Sequence, residues 1–180
     1  MGALKFRVLL DSEKDEEIFR DIVINEDDNF ESFYRAILNS FNFEGKEIGS
    51  FFMSNDEWDK GHEISLMDMS YSDEDTEITS VMSEAKLTDF MEAPDQKIIL
   101  VYDFLRMWIF LIELQERTEE TVDKPQVKLA VGTAPPEDSK MIQDDAFYGE
   151  EGDEDMDFDE DFDDGYDDED FGNGYEEYEY

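Results

Sequence analysis

The sequence predicts an α+β domain followed by a disordered, acidic C-terminal tail. Three observations carry that expectation. Two runs near the N-terminus alternate apolar and polar residues with period two, as half-buried strands do. One run repeats its apolar residues at the spacing of an amphipathic helix. After Lys140 the bases stop while the acids continue.

In chain order, "KFRVLL" (residues 5–10) sets Phe6, Val8 and Leu10 against Lys5, Arg7 and Leu9, which predicts a strand. "EIFRDIVI" (17–24) repeats the pattern, with Ile18, Arg20, Ile22 and Ile24 on one face. The acidic "DSEKDE" between them predicts a turn and hence an antiparallel pair. In "NFESFYRAILNSFNFEG" (29–45), Phe30, Phe33, Tyr34, Ile37, Leu38 and Phe41 fall at i, i+3, i+4, i+7, i+8 and i+11. Asn29 suits the N-cap, and Gly45 suits the stop.

A third strand is expected over "GSFFMSN" (49–55), and a short one near Ile64 to Met67. "YSDEDTE" (71–77) reads as an acidic loop and "KLTDFM" (86–91) as a short helix. The most apolar run, "KIILVYDFLRMWIFLIELQE" (97–116), approaches the length of a bilayer span. Asp103 and Arg106 sit near its middle, and each would cost roughly 2.5–3.5 kcal/mol on membrane insertion. The run therefore predicts two buried strands joined by a tight turn at residues 103–106, and no membrane span. "VKLAVG" (127–132) predicts a last strand. "TAPPED" (133–138) reads as a stiff linker, because proline fixes φ and lacks an N–H. The expected organisation is a domain over 1–130, a Pro-containing linker over 131–143 and a tail over 144–180.

The chain of 180 residues carries 53 acids and 14 bases, a net charge of −39. Of those acids, 20 follow Gln143 with no base among them, so the tail carries −20 and the preceding residues −19. Direct nucleic-acid binding relies on basic residues displacing counterions from phosphate, so it is not expected. Basic proteins and divalent cations are the natural electrostatic partners. The absence of cysteine removes disulfides, thiolate nucleophiles and Cys-based zinc sites. It fits a cytoplasmic location. "MGALKFRVLLDSEKDEE" has neither the apolar stretch of a signal peptide nor the Ser or Thr of a myristoylation signal.

The tail interleaves aromatic rings with acids. Phe158, Phe162, Tyr166, Phe171 and Tyr175 are its candidate partner-binding residues, because acidic–aromatic alternation marks disordered segments that dock on basic, partly apolar surfaces. A solubilising tail without a dedicated partner reads equally well. Calcium-loop spacing fails, since placing Gly165 or Gly172 at the sixth loop position puts Phe162 or Phe171 where a carboxylate is needed.

The order strand, strand, helix, strand, variable middle, strand pair resembles the plasmid pRiA4b ORF-3-like family over roughly residues 4–140. "IFRDIVI" resembles its "I-W-R-x-I-x-V", with Phe19 at the Trp position. "KIILVYDF" and "MWIFLIEL" resemble "Y-x-Y-D-F-G-D-x-W-x-H-x-I", and "APPEDSK" resembles "C-P-P-E-D-C-G-G". The departures are Leu105 and Arg106 for Gly-Asp, Phe110 for His, and Ala134 and Ser139 for the two Cys. Any chemistry resting on those groups is expected to be lost here. The resemblance implies a mixed β-sheet packed on one main helix, β-grasp-like, with no assigned biochemical role. It also implies an association with mobile DNA, which describes no chemistry.

Two reactive groups remain to be placed. Asp103, with Arg106 near it, is either a buried carboxylate that binds a ligand or transfers protons, or a turn residue accepting backbone N–H bonds. A ligand site there would draw in Arg7. His62, the sole histidine, follows Gly61 in a polar stretch without a Cys or Ser at suggestive spacing, and reads as a solvated loop residue. One His cannot form a His-rich metal site, and no G-x-S-x-G is present. The sequence therefore points to a non-enzymatic protein-interaction module without cofactor, whose tail engages basic partners or mimics nucleic acid. The alternative is a small ligand-binding or enzymatic domain with its site near Asp103.

Overall fold

Alternation on strands and an apolar stripe on one helix leave two faces that must bury each other, and the fold does this. The computed structural model describes residues 2–13, 15–68 and 80–142. Its strands are β1 (Ala3–Leu10), β2 (Phe19–Asn25), β3 (Gly49–Ser54), β4 (Lys60–Ser65), β5 (Ser80–Val81), β6 (Lys97–Tyr102), β7 (Trp108–Thr118) and β8 (Gln126–Val131). The helices among the described residues are α1 (Phe30–Ser40) and α2 (Leu87–Phe90). The strands form one eight-stranded sheet in the order β5-β4-β3-β6-β7-β1-β2-β8. Every neighbouring pair is antiparallel except β4 and β5, so the sheet is mixed.

β1 and β2 pair antiparallel as expected, with Phe6 opposite Ile22. The expected hairpin is β6–β7, with Ile98 opposite Ile112 and Leu100 opposite Phe110. These two strands occupy the middle of the sheet, which explains why "KIILVY" and "WIFLIEL" are apolar on nearly both faces. Leu4, Phe6, Val8 and Leu10 of β1 belong to the main core, while Arg7 points to the other face.

α1 starts as the pattern required. The Asn29 side chain accepts from Ser32 N at 2.9 Å. Its buried stripe, Phe30, Phe33, Tyr34, Ile37 and Leu38, covers the sheet. The Phe33 ring lies 4.5 Å from Phe6 and 5.7 Å from Phe51. The stop differs from the expectation at Gly45. The helix ends earlier, where Asn42 adopts φ 60° and Phe43 N and Asn42 N bond back to Leu38 O and Asn39 O. That is a Schellman closure with asparagine, which tolerates the left-handed region, in the usual glycine place.

Other boundaries moved for physical reasons. β4 runs over 60–65 rather than near 64–67, because pairing with β3 extends it through the exposed Lys60, Gly61 and His62. β5 was not expected, since two residues in parallel pairing carry no periodicity. β7 continues to Thr118, because β1 pairs with it through Ala3. At the edge, β8 carries a bulge opposite Asp21 and Ile22, with Lys128 as its extra residue, and both features blunt an edge strand. The acidic loop 71–77 and the tail 144–180, with Phe158, Phe162, Tyr166, Phe171 and Tyr175, lie outside the described residues.

Candidate functional site

The polar groups converge at one end of the sheet, where β6 ends, β7 begins and the α1–β3 loop passes. Tyr102 is the last residue of β6 and fully buried. Its hydroxyl donates a short hydrogen bond to Glu137 Oε1 and accepts from Glu47 N at 3.3 Å. Tyr34 on α1 donates its hydroxyl to Glu47 O at 3.0 Å. The close approach of Tyr34 to β3 requires Gly49, where an added Cβ would stand 2.8 Å from the ring and 3.0 Å from Val101 O.

Residues 133–138, expected as a stiff linker, lie back across this end of the sheet together with Ser139 and Lys140. Glu137 fixes them. Its Oε2 accepts from Glu44 N at 2.7 Å and its carbonyl accepts from the indole Nε1 of Trp108 at 3.0 Å. The Lys140 ammonium bonds Met107 O and lies 5.4 Å from the Trp108 ring centre. Beneath the strap, Phe43 packs at 5.0 Å from Trp108 and 5.9 Å from Tyr102. Two prolines, which restrict the unfolded chain, precede the anchoring carboxylate.

Asp103 shapes the adjoining turn. It is 2% exposed and holds φ 59°. Oδ1 accepts from Leu105 N at 3.1 Å and Arg106 N at 3.2 Å, and Oδ2 meets Arg106 Nη1 at 3.3 Å. Arg106 Nε also donates to Lys140 O at 3.1 Å, joining turn to strap. Of the sequence's two readings, this is the geometry of the turn residue. Asp103→Ala should destabilise the domain by about 2 kcal/mol, through lost acceptors and an alanine left at positive φ. Asp103→Gly should recover part of that loss, by relieving the backbone alone. Urea unfolding of both variants measures this, and equal losses would refute the strain component.

Asp103, Arg106, Glu44, Lys46 and Glu137 line a cleft of about 400 Å³. Burial, and then the bond to Glu137, push the Tyr102 hydroxyl up to about 12. Burial raises Tyr34 further still. Both phenols stay protonated donors at neutral pH.

Arg7, expected near Asp103, is elsewhere. It pairs with the buried carboxylate of Asp21 through two bonds of 2.9 and 3.0 Å and lies 4.4 Å from the Phe19 ring centre. His62 is exposed as expected, but it has a serine partner that chain spacing did not reveal. The ring lies 2.8 Å from Ser80 Oγ and stacks on Phe90 at 5.7 Å. Arg20, placed on an apolar face by periodicity, is buried there. It donates to Ser40 O at the end of α1 and to Val131 O, both at 2.9 Å. Among the described residues no group of three or more His, Cys, Asp or Glu is placed to hold a metal ion, and no helix is long and apolar enough to cross a membrane.

The family model described as plasmid pRiA4b ORF-3-like protein matches residues 2–171. This chain belongs to that family. The match runs well past the 4–140 over which the resemblance was expected. In this pRiA4b ORF-3-like chain, "YDF" supplies the buried phenol and the turn aspartate, and "PPED" supplies the carboxylate that seals them. A protein of unknown function from Methanosarcina mazei Go1 has a crystal structure similar to this one, with a TM-score of 0.64 and 20% identity. The similarity covers 78% of this chain and 76% of that one, and it bears on the fold alone. No match was found among curated proteins.

Proposed function

We propose that this chain is a non-enzymatic protein-interaction module, with a β-grasp-like domain of one main helix under a mixed sheet and an acidic tail that engages basic partners. The observation supporting this reading is that the two carboxylates that organise the Asp103 cleft are engaged by the chain itself. Both carboxylate oxygens of Glu137 and both of Asp103 already accept hydrogen bonds from the protein. A general acid or base needs a proton it can exchange with a ligand, and these groups hold the chain's own turn and strap. The tail's aromatics, Phe158, Phe162, Tyr166, Phe171 and Tyr175, would supply buried area, while its charge steers the encounter or mimics nucleic acid. A cytoplasmic setting and an association with mobile DNA fit the proposal.

The test compares the full chain with a chain ending at Gln143 in a nuclease-treated pull-down at two salt concentrations. Basic proteins captured only by the full chain, and released steeply by moderate salt, are the expected result. Salt-insensitive capture, or capture by both forms alike, would remove the tail from the function. The second reading, a small-ligand or enzymatic site at Asp103, draws on the cleft that holds Asp103 and Arg106 together. Ligand screening against the chain ending at Gln143 tests it.

A further inference from the structure

Large apolar side chains in water ask for a reason when they gather at one place. Seven are exposed among the described residues, and four of them, Phe104, Leu105, Met141 and Ile142, flank one junction. The junction is the hydrogen-bonded contact of Arg106 and Met107 with Lys140. Phe104 and Leu105 lie in the β6–β7 turn, each 42% exposed. Met141 and Ile142 follow directly after the strap, at 85% and 47%.

The tip is held rigid at some expense. Asp103 and Met107, both non-glycine, bracket it at φ 59° and 57°. Met107 N closes the turn on Asp103 O at 2.6 Å, and the Asp103 carboxylate ties down the two amides inside it. Leu105 contributes only its backbone N–H to that closure, and neither the Phe104 nor the Leu105 side chain takes part in it. A strained turn that presents two apolar side chains outward is pre-organised for contact.

The surroundings state the partner's charge. One flank is the 400 Å³ cleft, with Glu47 and Asp138 in its lining. The other is a cleft of about 460 Å³ with Trp108, Pro135 and Met141 forming its apolar part and Asp11 and Glu13 its acidic part. The bases nearby are engaged within the chain. Lys46 pairs with Glu44, Arg106 with Asp103, and Lys140 with Met107 O. Directly after Ile142 the sequence enters the stretch carrying −20.

We infer that this junction is a docking surface for a basic amphipathic segment of a partner protein, which sets apolar anchors on Phe104, Leu105 and Met141 and its Lys or Arg against the flanking carboxylates. The inference rests on the interaction-module reading and names the domain surface that reading lacks. An anionic bilayer would meet the same carboxylates and be repelled. A second copy would bring another −39.

Three probes test it on the full chain by fluorescence anisotropy: an amphipathic Leu/Lys peptide, an oligolysine of equal charge, and vesicles of phosphatidylserine and phosphatidylcholine. The amphipathic peptide should bind about tenfold more tightly than oligolysine at about 0.15 M salt. The double variant Phe104→Ser/Leu105→Ser should abolish that difference and leave oligolysine binding unchanged. Its thermal unfolding reports whether it folds. If it does not, Met141→Ser/Ile142→Ser, outside the turn, carries the same test. Equal binding of both peptides, or full retention of the difference in the variants, overturns the docking surface while sparing the acidic-tail reading. Failure of both peptides to bind overturns both. Vesicle binding that the variants lose assigns the tip to a membrane and overturns the protein partner.

Discussion

Phe51→Ala is expected to destabilise the domain by about 3–5 kcal/mol, the range for truncating a fully buried phenylalanine. Phe51 is fully buried on β3, and its ring meets three others: Phe30 at 5.2 Å, Phe33 at 5.7 Å and Tyr34 at 6.4 Å. Deleting it opens a cavity where the helix stripe crosses the sheet. Total stabilities of about 5–15 kcal/mol make such a loss a large fraction of the whole. The nearer-volume Phe51→Leu should cost much less. Urea unfolding with an unchanged slope is the measurement, and a loss below about 1 kcal/mol would mean the ring cluster does not hold helix to sheet. The damage should also reach the cleft, because Tyr34 links Phe51 to the Glu47 carbonyl.

Glu137→Ala should cost about 2 kcal/mol and detach the strap, since hydrogen bonds to a charged group contribute about 1.5–3 kcal/mol. It removes the acceptor from a buried phenol and from Glu44 N at once. Its signature lies at alkaline pH. Between pH 10 and about 12 the unfolded chain releases the Tyr102 proton while the folded chain retains it. Stability therefore falls as pH rises through that window, and the contribution is fully present below pH 10. Tyr34 acts in the same direction. In Glu137→Ala the Tyr102 titration should move down toward 10, visible as earlier phenolate absorbance. Tyr102→Phe should remove that phase altogether. An unmoved titration in Glu137→Ala would mean that burial alone sets it.

The fold was legible wherever one residue pattern determined one element. Phe30 through Phe41 could be placed on a helix because a six-residue stripe at helical spacing has few other readings. The β6–β7 hairpin was legible because Asp103 and Arg106 interrupt an otherwise apolar run. β5 was illegible for the opposite reason, since Ser80 and Val81 are a strand only because β4 lies beside them. The polar site was harder. Glu137 sits between Pro136 and Asp138 in a stretch that reads as spacer, and its partners Tyr102 and Glu44 are far away in sequence. Only the likeness of "APPEDSK" to a family motif marked the stretch. The Arg7–Asp21 pair had a usable signal, because both occupy the polar phase of adjacent strands. Contacts between polar groups distant in sequence leave no periodicity, so His62–Ser80 left none either.

The position of β6 and β7 in the sheet carries a further consequence. "KIILVY" and "WIFLIEL" are short, β-prone and nearly free of charge, the composition of segments that stack into cross-β fibrils. The strand order puts three strands between each of them and the nearer edge. Fraying begins at edges, and here the edges are a two-residue strand and a bulged, lysine-bearing one. Local opening therefore exposes the harmless strands first, and the hazardous pair becomes available only when the sheet opens as a whole. Aggregation of this chain is thus tied to its global unfolding equilibrium rather than to the motions of its surface.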